Sequence, residues 1–204
     1  MKNIRDIILE LRESKPYSLN MENFKTGADD EAFFNYLYNN VLKYVKDDSS
    51  VFDRIVEKEY YDERIDIYGV YYNGKDLSCI VPKRKTILDE AKAIHEITHL
   101  VSILTDMHNE KTTYRKIIPY FNEYDYLIEQ HSFYASNYLI YRMNTSIEAA
   151  KRMNKYNRDD CLSYIIAGEL LKRRTQNYDI NKLNKINAKS RTLEKSLKLN
   201  GYTL

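Results

Sequence analysis

Apolar residues recur at three- and four-residue spacing along most of this chain, and at two-residue spacing in one short stretch. Ile4, Ile7, Ile8 and Leu11 predict a short amphipathic helix over residues 3–13, ended near Lys15-Pro16. Asp29 or Asp30 caps a second helix, striped by Phe33, Phe34, Leu37, Val41, Leu42 and Val45. Asp47 to Ser50 interrupts the pattern, and Phe52, Ile55 and Val56 carry helix on through residues 51–61. From Arg64 the period becomes two: Ile65, Ile67, Gly69 and Tyr71 alternate with their neighbours. Asn73-Gly74 is a strong hairpin turn, and Leu77, Cys79 and Val81 form the return strand, which Pro82 ends or places at an edge.

The next helix runs from Asp89 to Asp106. Ala91, Ile94, Thr98, Val101 and Thr105 keep the helical spacing, Ile97, Leu100 and Leu104 widen the apolar coverage, and Thr86 with Asp89 boxes the start. A polar connection, His108 to Lys116, leads through Pro119 into a helix over Asn122–Met143. Glu123, Glu129 and His131 mark its polar line, while Phe133, Tyr134, Tyr138, Leu139 and Tyr141 supply bulk. Thr145 and Glu148 box a further helix to about Asn157. Asp159 or Asp160 caps one containing Leu162, Ile165, Ile166, Leu170 and Leu171, and a last helix spans Ile180 to Leu199. The expected fold is α+β and mostly helical, with a small hairpin or sheet before the Asp89–Asp106 helix. It forms a single domain over 1–204: N-terminal helices in 1–61, the hairpin and two long helices in 62–143, and a helical part in 144–204.

Composition supports a folded chain: 43% hydrophobic, 30% charged, with 5 Gly and 3 Pro in 204 residues. The 20 tyrosines suit packing and half-buried rims better than an aromatic groove. Net charge is +2 but uneven: residues 151–204 hold 13 Lys/Arg against 5 Asp/Glu (+8), and residues 1–150 hold 19 against 25 (−6). A basic C-terminal part makes nucleic acid a possible partner, although solvated helix faces explain it better. Cys79 and Cys161 form no C-x-x-C pair and fit a reducing compartment. The N-terminus lacks the pattern of a signal peptide and no run is long enough to span a membrane, so a cytoplasmic protein is expected.

Chemistry concentrates in His95-Glu96-Ile97-Thr98-His99, which holds two of the four histidines. Histidines four apart share one helix face, and this H-E-x-x-H arrangement places two imidazoles for one zinc ion with Glu96 as general base. A catalytic zinc needs a third protein ligand. Glu123 and Glu129 are the available donors; they lie six apart, about 120° around a helix, so one alone would serve.

These residues resemble the zincin metallopeptidases, in particular the gluzincins, whose third ligand is a glutamate on a downstream helix. Asn122-Glu123 matches the start of an Asn-Glu-Gly-x-Ala helix, although Tyr124 and Tyr126 replace its glycine and alanine. Glu129, Phe133 and Ala135 are similar to the Glu-x-x-x-Phe-Ala helix of small metallopeptidases that cleave repressors in mobile elements. The resemblance implies one zinc per chain on His95, His99 and Glu123 (or Glu129), and hydrolysis of a peptide or protein substrate. Glu96 would be the base, and His131, or less well Tyr134 or Tyr138, would steady the oxyanion. Asp106 and Glu110 could orient a ligand imidazole. The strand before the motif helix would offer its edge to an extended peptide. The competing expectation is a non-enzymatic helical protein that docks a protein or nucleic acid, its pentapeptide structural or vestigial.

Overall fold

The computed structural model describes residues 2–3, 21–59, 68–105, 113–150, 155–175, 195 and 202–203. The chain is mostly helical with a small three-stranded sheet, an α+β architecture, and it divides into two compact units. Residues 21–110 form one; residues 1–20 and 111–204 form the other. The helices expected over 3–13 and 180–199 fall outside the described residues, apart from the isolated members Asn3 and Lys195. So do Arg64–Ile67 of the first strand, Asp106, Glu110 and most of the polar connection.

In the unit of residues 21–110, helix α1 (Asp30–Tyr36) starts where expected, with the Asp29 side chain accepting from the Ala32 N–H at 3.1 Å. Its stripe then continues as a π turn, Leu37–Val41, and a 3-10 turn, Leu42–Tyr44, which keep Leu37, Val41 and Leu42 buried. A four-residue helix α2 (Ser49–Phe52) follows. The helix expected through residue 61 is absent, because Ile55–Lys58 is strand β2. Ile55 and Val56 are β-branched, and pairing with a strand more than twenty residues away outweighs a local pattern that suits either state.

Strands β3 (Gly69–Tyr72) and β4 (Leu77–Pro82) form the hairpin, antiparallel with Gly69 opposite Ile80. Asn73 Oδ1 accepts from the N–H groups of Lys75 and Asp76, at 3.0 and 2.8 Å, and Gly74 takes φ +91°, a conformation that favours glycine. The sheet order is β2-β4-β3, with β2 parallel to β4. Thus β4 is central, and Pro82 is its last residue. This corrects the expected open edge beside the motif helix: both edges of β4 are paired. Helix α3 (Ile87–Leu104) packs on β3 and β4, starting from the Thr86–Asp89 capping box and burying Ala91, Ile94, Ile97, Leu100 and Val101. The Arg84 guanidinium lies over Phe33 (4.3 Å) and Phe34 (5.1 Å) and pairs with Asp30 (2.8 Å) and Glu57 (3.4 Å). Buried Glu90 accepts from the Asp29 N–H at 3.0 Å, which ties the start of α1 to α3.

In the other unit, helix α4 (Thr113–Ala150) packs along α5 (Lys155–Thr175), and the two-residue strands β1 (Lys2–Asn3) and β5 (Tyr202–Thr203) pair in parallel. Helix α4 begins before Pro119, not after it. The proline costs one helical hydrogen bond, but Ile117, Ile118 and Tyr120 around it are buried, which offsets the loss. The expected new helix at Thr145 does not start: Thr145 Oγ1 donates to the Arg142 carbonyl at 3.1 Å and α4 continues. Asp159 and Asp160 accordingly lie inside α5, not at its cap. The expected stripe of Leu162, Ile165, Ile166, Leu170 and Leu171 is buried. None of the described helices is long and apolar enough to cross a membrane.

Close approach of α4 and α5 depends on Gly168. A Cβ there would collide with Met143 Sδ and stand 2.9 Å from its Cγ, and Met143 is fully buried. Gly168→Ala gains about 1 kcal/mol of helix propensity but overpacks a closed core by ~1–3 kcal/mol. We expect it to lower the thermal midpoint in the wild-type background and to raise it in a Met143→Ala background. The same sign in both backgrounds would show that the contact does not set the packing.

Candidate functional site

Burial of one face of α3 against the sheet carries the motif histidines inward. His95 is buried and His99 half-buried, and the capping box together with the apolar stripe fixes the register. Their Nε2 atoms are 3.1 Å apart, a hydrogen-bond distance, with one ring edge-on to the other at 4.8 Å between centroids. Thr98 Oγ1 donates to the Ile94 carbonyl (2.7 Å) and Ser102 Oγ to the Thr98 carbonyl (2.8 Å), so the hydroxyls on this helix bond back to their own turn. Glu96 is half-buried, close enough to β4 for its charge to act on the Cys79 thiol.

Burial first, and the Glu96 charge second, push the Cys79 thiol up to about 12, so it stays protonated and unreactive at neutral pH. Burial, with His95 adding to it, pushes His99 down to about 3. The His99 imidazole is therefore neutral over the physiological range.

Two imidazoles do not make a zinc site. Among the described residues no group of three or more His, Cys, Asp or Glu side chains could hold a metal ion. This overturns the expected zinc cofactor, and with it the zincin and gluzincin resemblance, the metallopeptidase activity and the zinc-dependent hydrolysis of peptide bonds. The physical reason is that a string of local spacing supplies two donors, whereas the third depends on tertiary placement. Glu123, Glu129 and His131 lie on α4, in the other compact unit. Glu123 is buried, Glu129 is exposed, and half-buried His131 has non-helical backbone (φ −147°, ψ 66°), its ring 6.2 Å from that of Tyr134.

Two features of α4 were not legible as sites. The first is a buried aromatic cluster shared with α5: Tyr120 and Tyr124 meet the Tyr164 ring at 4.3 and 5.6 Å, Tyr124 meets Tyr138 at 6.2 Å, and the Arg142 guanidinium lies 4.5 Å over Tyr164. Burial raises all three of Tyr124, Tyr138 and Tyr164, with Glu123 raising them further. Burial alone would lower Arg142, but the tyrosines and Glu123 outweigh it. The tyrosines are thus neutral and the arginine charged at neutral pH. Tyr124 Oη and Arg142 Nε are buried without a hydrogen-bond partner among the described residues. Tyr124 and Tyr126, the departures from the metallopeptidase helix, are among the largest fully buried side chains.

The second feature is an exposed aromatic face. Phe133 is 71% exposed, Tyr141 44% and Tyr134 39%, so three of the residues that supply bulk to this helix face solvent. The break at His131 changes the phase of the helix just before them, and Ala135, Leu139 and Met143 take the inward positions. The only hint in the sequence is their excess over what one stripe can bury.

No family model, no curated protein and no solved structure matches this chain.

The neutral His99 imidazole has a thermodynamic signature. His99 ordinarily titrates near 6.5 and in the fold near 3, so above 6.5 both folded and unfolded chains hold it neutral. Below 6.5 the unfolded chain gains a proton that the folded chain refuses, and stability falls as pH falls towards 3. Allowing for solvent at the half-open ring, urea unfolding should lose ~1–2 kcal/mol more between pH 7 and 5 in wild type than in His99→Gln. Equal losses would place His99 in an environment that does not resist its charge.

Proposed function

We propose that this chain is a non-catalytic binding protein that presents helical surface to a macromolecular partner. The observation that carries this reading is the exposed aromatic face of α4, Phe133, Tyr134 and Tyr141. Aromatic side chains gain most from leaving water, and they dominate the energetics of contact surfaces. The H-E-x-x-H pentapeptide is a structural part of α3 in this reading. His95 and His99 satisfy each other, and the turn around them holds the helix on β4. The Cys79 thiol, the His99 imidazole and the tyrosines around Arg142 are held in their neutral forms, which suits a scaffold better than an acid–base centre.

The test compares what the tagged full-length chain retains from an extract of the cells that produce it. Wild type and Glu96→Gln should retain the same species, and Phe133→Ser/Tyr141→Ser should lose them at least tenfold with an unchanged circular dichroism spectrum. Retention that survives the aromatic substitutions, or that depends on Glu96, would overturn the reading.

A further inference from the structure

We infer that Asn73 is a site of spontaneous deamidation in the folded protein, its side-chain amide being attacked by the Gly74 backbone nitrogen. The inference is independent of the binding reading above. Closure of an asparagine on the next residue's nitrogen needs an unshielded nitrogen, an activated side-chain carbonyl and access for water. All three meet at the turn between β3 and β4. Residues 71–76 are exposed. Gly74 has no side chain to shield its nitrogen, and no group among the described residues accepts from its N–H. Even a Cβ built there would meet nothing within 4 Å, so the approach is open.

The turn also activates the carbonyl. Asn73 Oδ1 accepts from the N–H groups of Lys75 and Asp76, at 3.0 and 2.8 Å. Attack on Cγ places negative charge on that same oxygen, so two backbone donors already stand where the tetrahedral intermediate requires them. The Gly74 N–Cγ bond forms, the Cγ–Nδ2 bond breaks, the Gly74 N–H proton passes to solvent and ammonia leaves. Water then opens the cyclic imide at either carbonyl, giving aspartate or isoaspartate. Asn73 is alone among the described asparagines in being followed by glycine. Asn35, Asn122 and Asn137 lie in helices, and the side chains of Tyr36, Glu123 and Tyr138 crowd the next nitrogen. Isoaspartate lengthens the main chain by a methylene. The pairing of Tyr72 with Leu77 and the bond from Tyr72 Oη to the Gly74 carbonyl, at 3.1 Å, both depend on the normal spacing. The modification thus loosens the tip of the hairpin.

The experiment holds full-length protein at body temperature and mildly alkaline pH, native and in urea, and follows each asparagine by peptide mapping with mass spectrometry. In the native protein Asn73 should convert at least tenfold faster than Asn35, Asn122 or Asn137, and within tenfold of its own rate in urea. Gly74→Ala should slow conversion at Asn73 at least tenfold in urea, where the fold of the variant has no influence, because the methyl group crowds the attacking nitrogen. A native rate more than tenfold below the rate in urea would show that folding protects the turn, and would overturn the inference. So would conversion of the helical asparagines as fast as Asn73, or an unchanged rate in Gly74→Ala.

Discussion

Both edges of β4 are occupied, and much of the unit over residues 21–110 follows from that constraint. A central strand must be apolar on the face it buries, and Cys79 and Val81 are fully enclosed. Helix α3 has to lie over that face, so its inward side chains, including His95, lose access to water. A buried imidazole requires a partner, and His99 one turn away stands at hydrogen-bond distance from it. The same closure removes the groove that an extended peptide would need beside β4. Pairing of β2 with β4 also brings the Arg54 carbonyl to the Cys79 N–H at 2.7 Å and the Lys58 carbonyl to the Lys83 N–H at 2.9 Å. The strand is thereby bonded at and just beyond its ends.

What the sequence revealed was local. The Asp29 cap, the Asn73-Gly74 turn, the Thr86–Asp89 box and the stripe of α5 each depend on residues within one or two turns, and each stands where spacing put it. The errors share the opposite character. Ile55 and Val56 fit helix or strand, and a distant partner strand decided between them. Thr145 fits a cap or a back-bonded interior position, and continued packing of α4 on α5 decided that. The H-E-x-x-H string belongs with these: its first two donors are a matter of helical period, and its third is a matter of where another element folds. Local spacing therefore carries no information on whether three donors meet.

The tyrosines show the same division within a single helix. Tyr124 and Tyr138 lie on either side of the break at His131, and both meet the buried cluster. Tyr134 and Tyr141, seven apart, face out. Nothing in residues 128–134 signals the break at His131, since neither Pro nor Gly is present.

The buried cluster and the exposed face are two sides of one arrangement. A helix that leaves Phe133 mostly in water loses burial there and has to be held by its opposite side. Tyr120, Tyr124, Leu139 and Met143 supply that hold against α5, and the missing side chain at Gly168 lets Met143 seat fully. The polar members weaken it, because a buried hydroxyl without a partner among the described residues, such as Tyr124 Oη, costs about 1–3 kcal/mol. Replacing such groups by apolar ones of similar shape would cost less in stability, yet Arg142 and the tyrosine rings interlock in one geometry through edge and cation contacts that depend on angle. An oily core tolerates rotation of α4 about its axis far better than this cluster does. Fixing that rotation is what keeps Phe133, Tyr134 and Tyr141 pointed outward as a set.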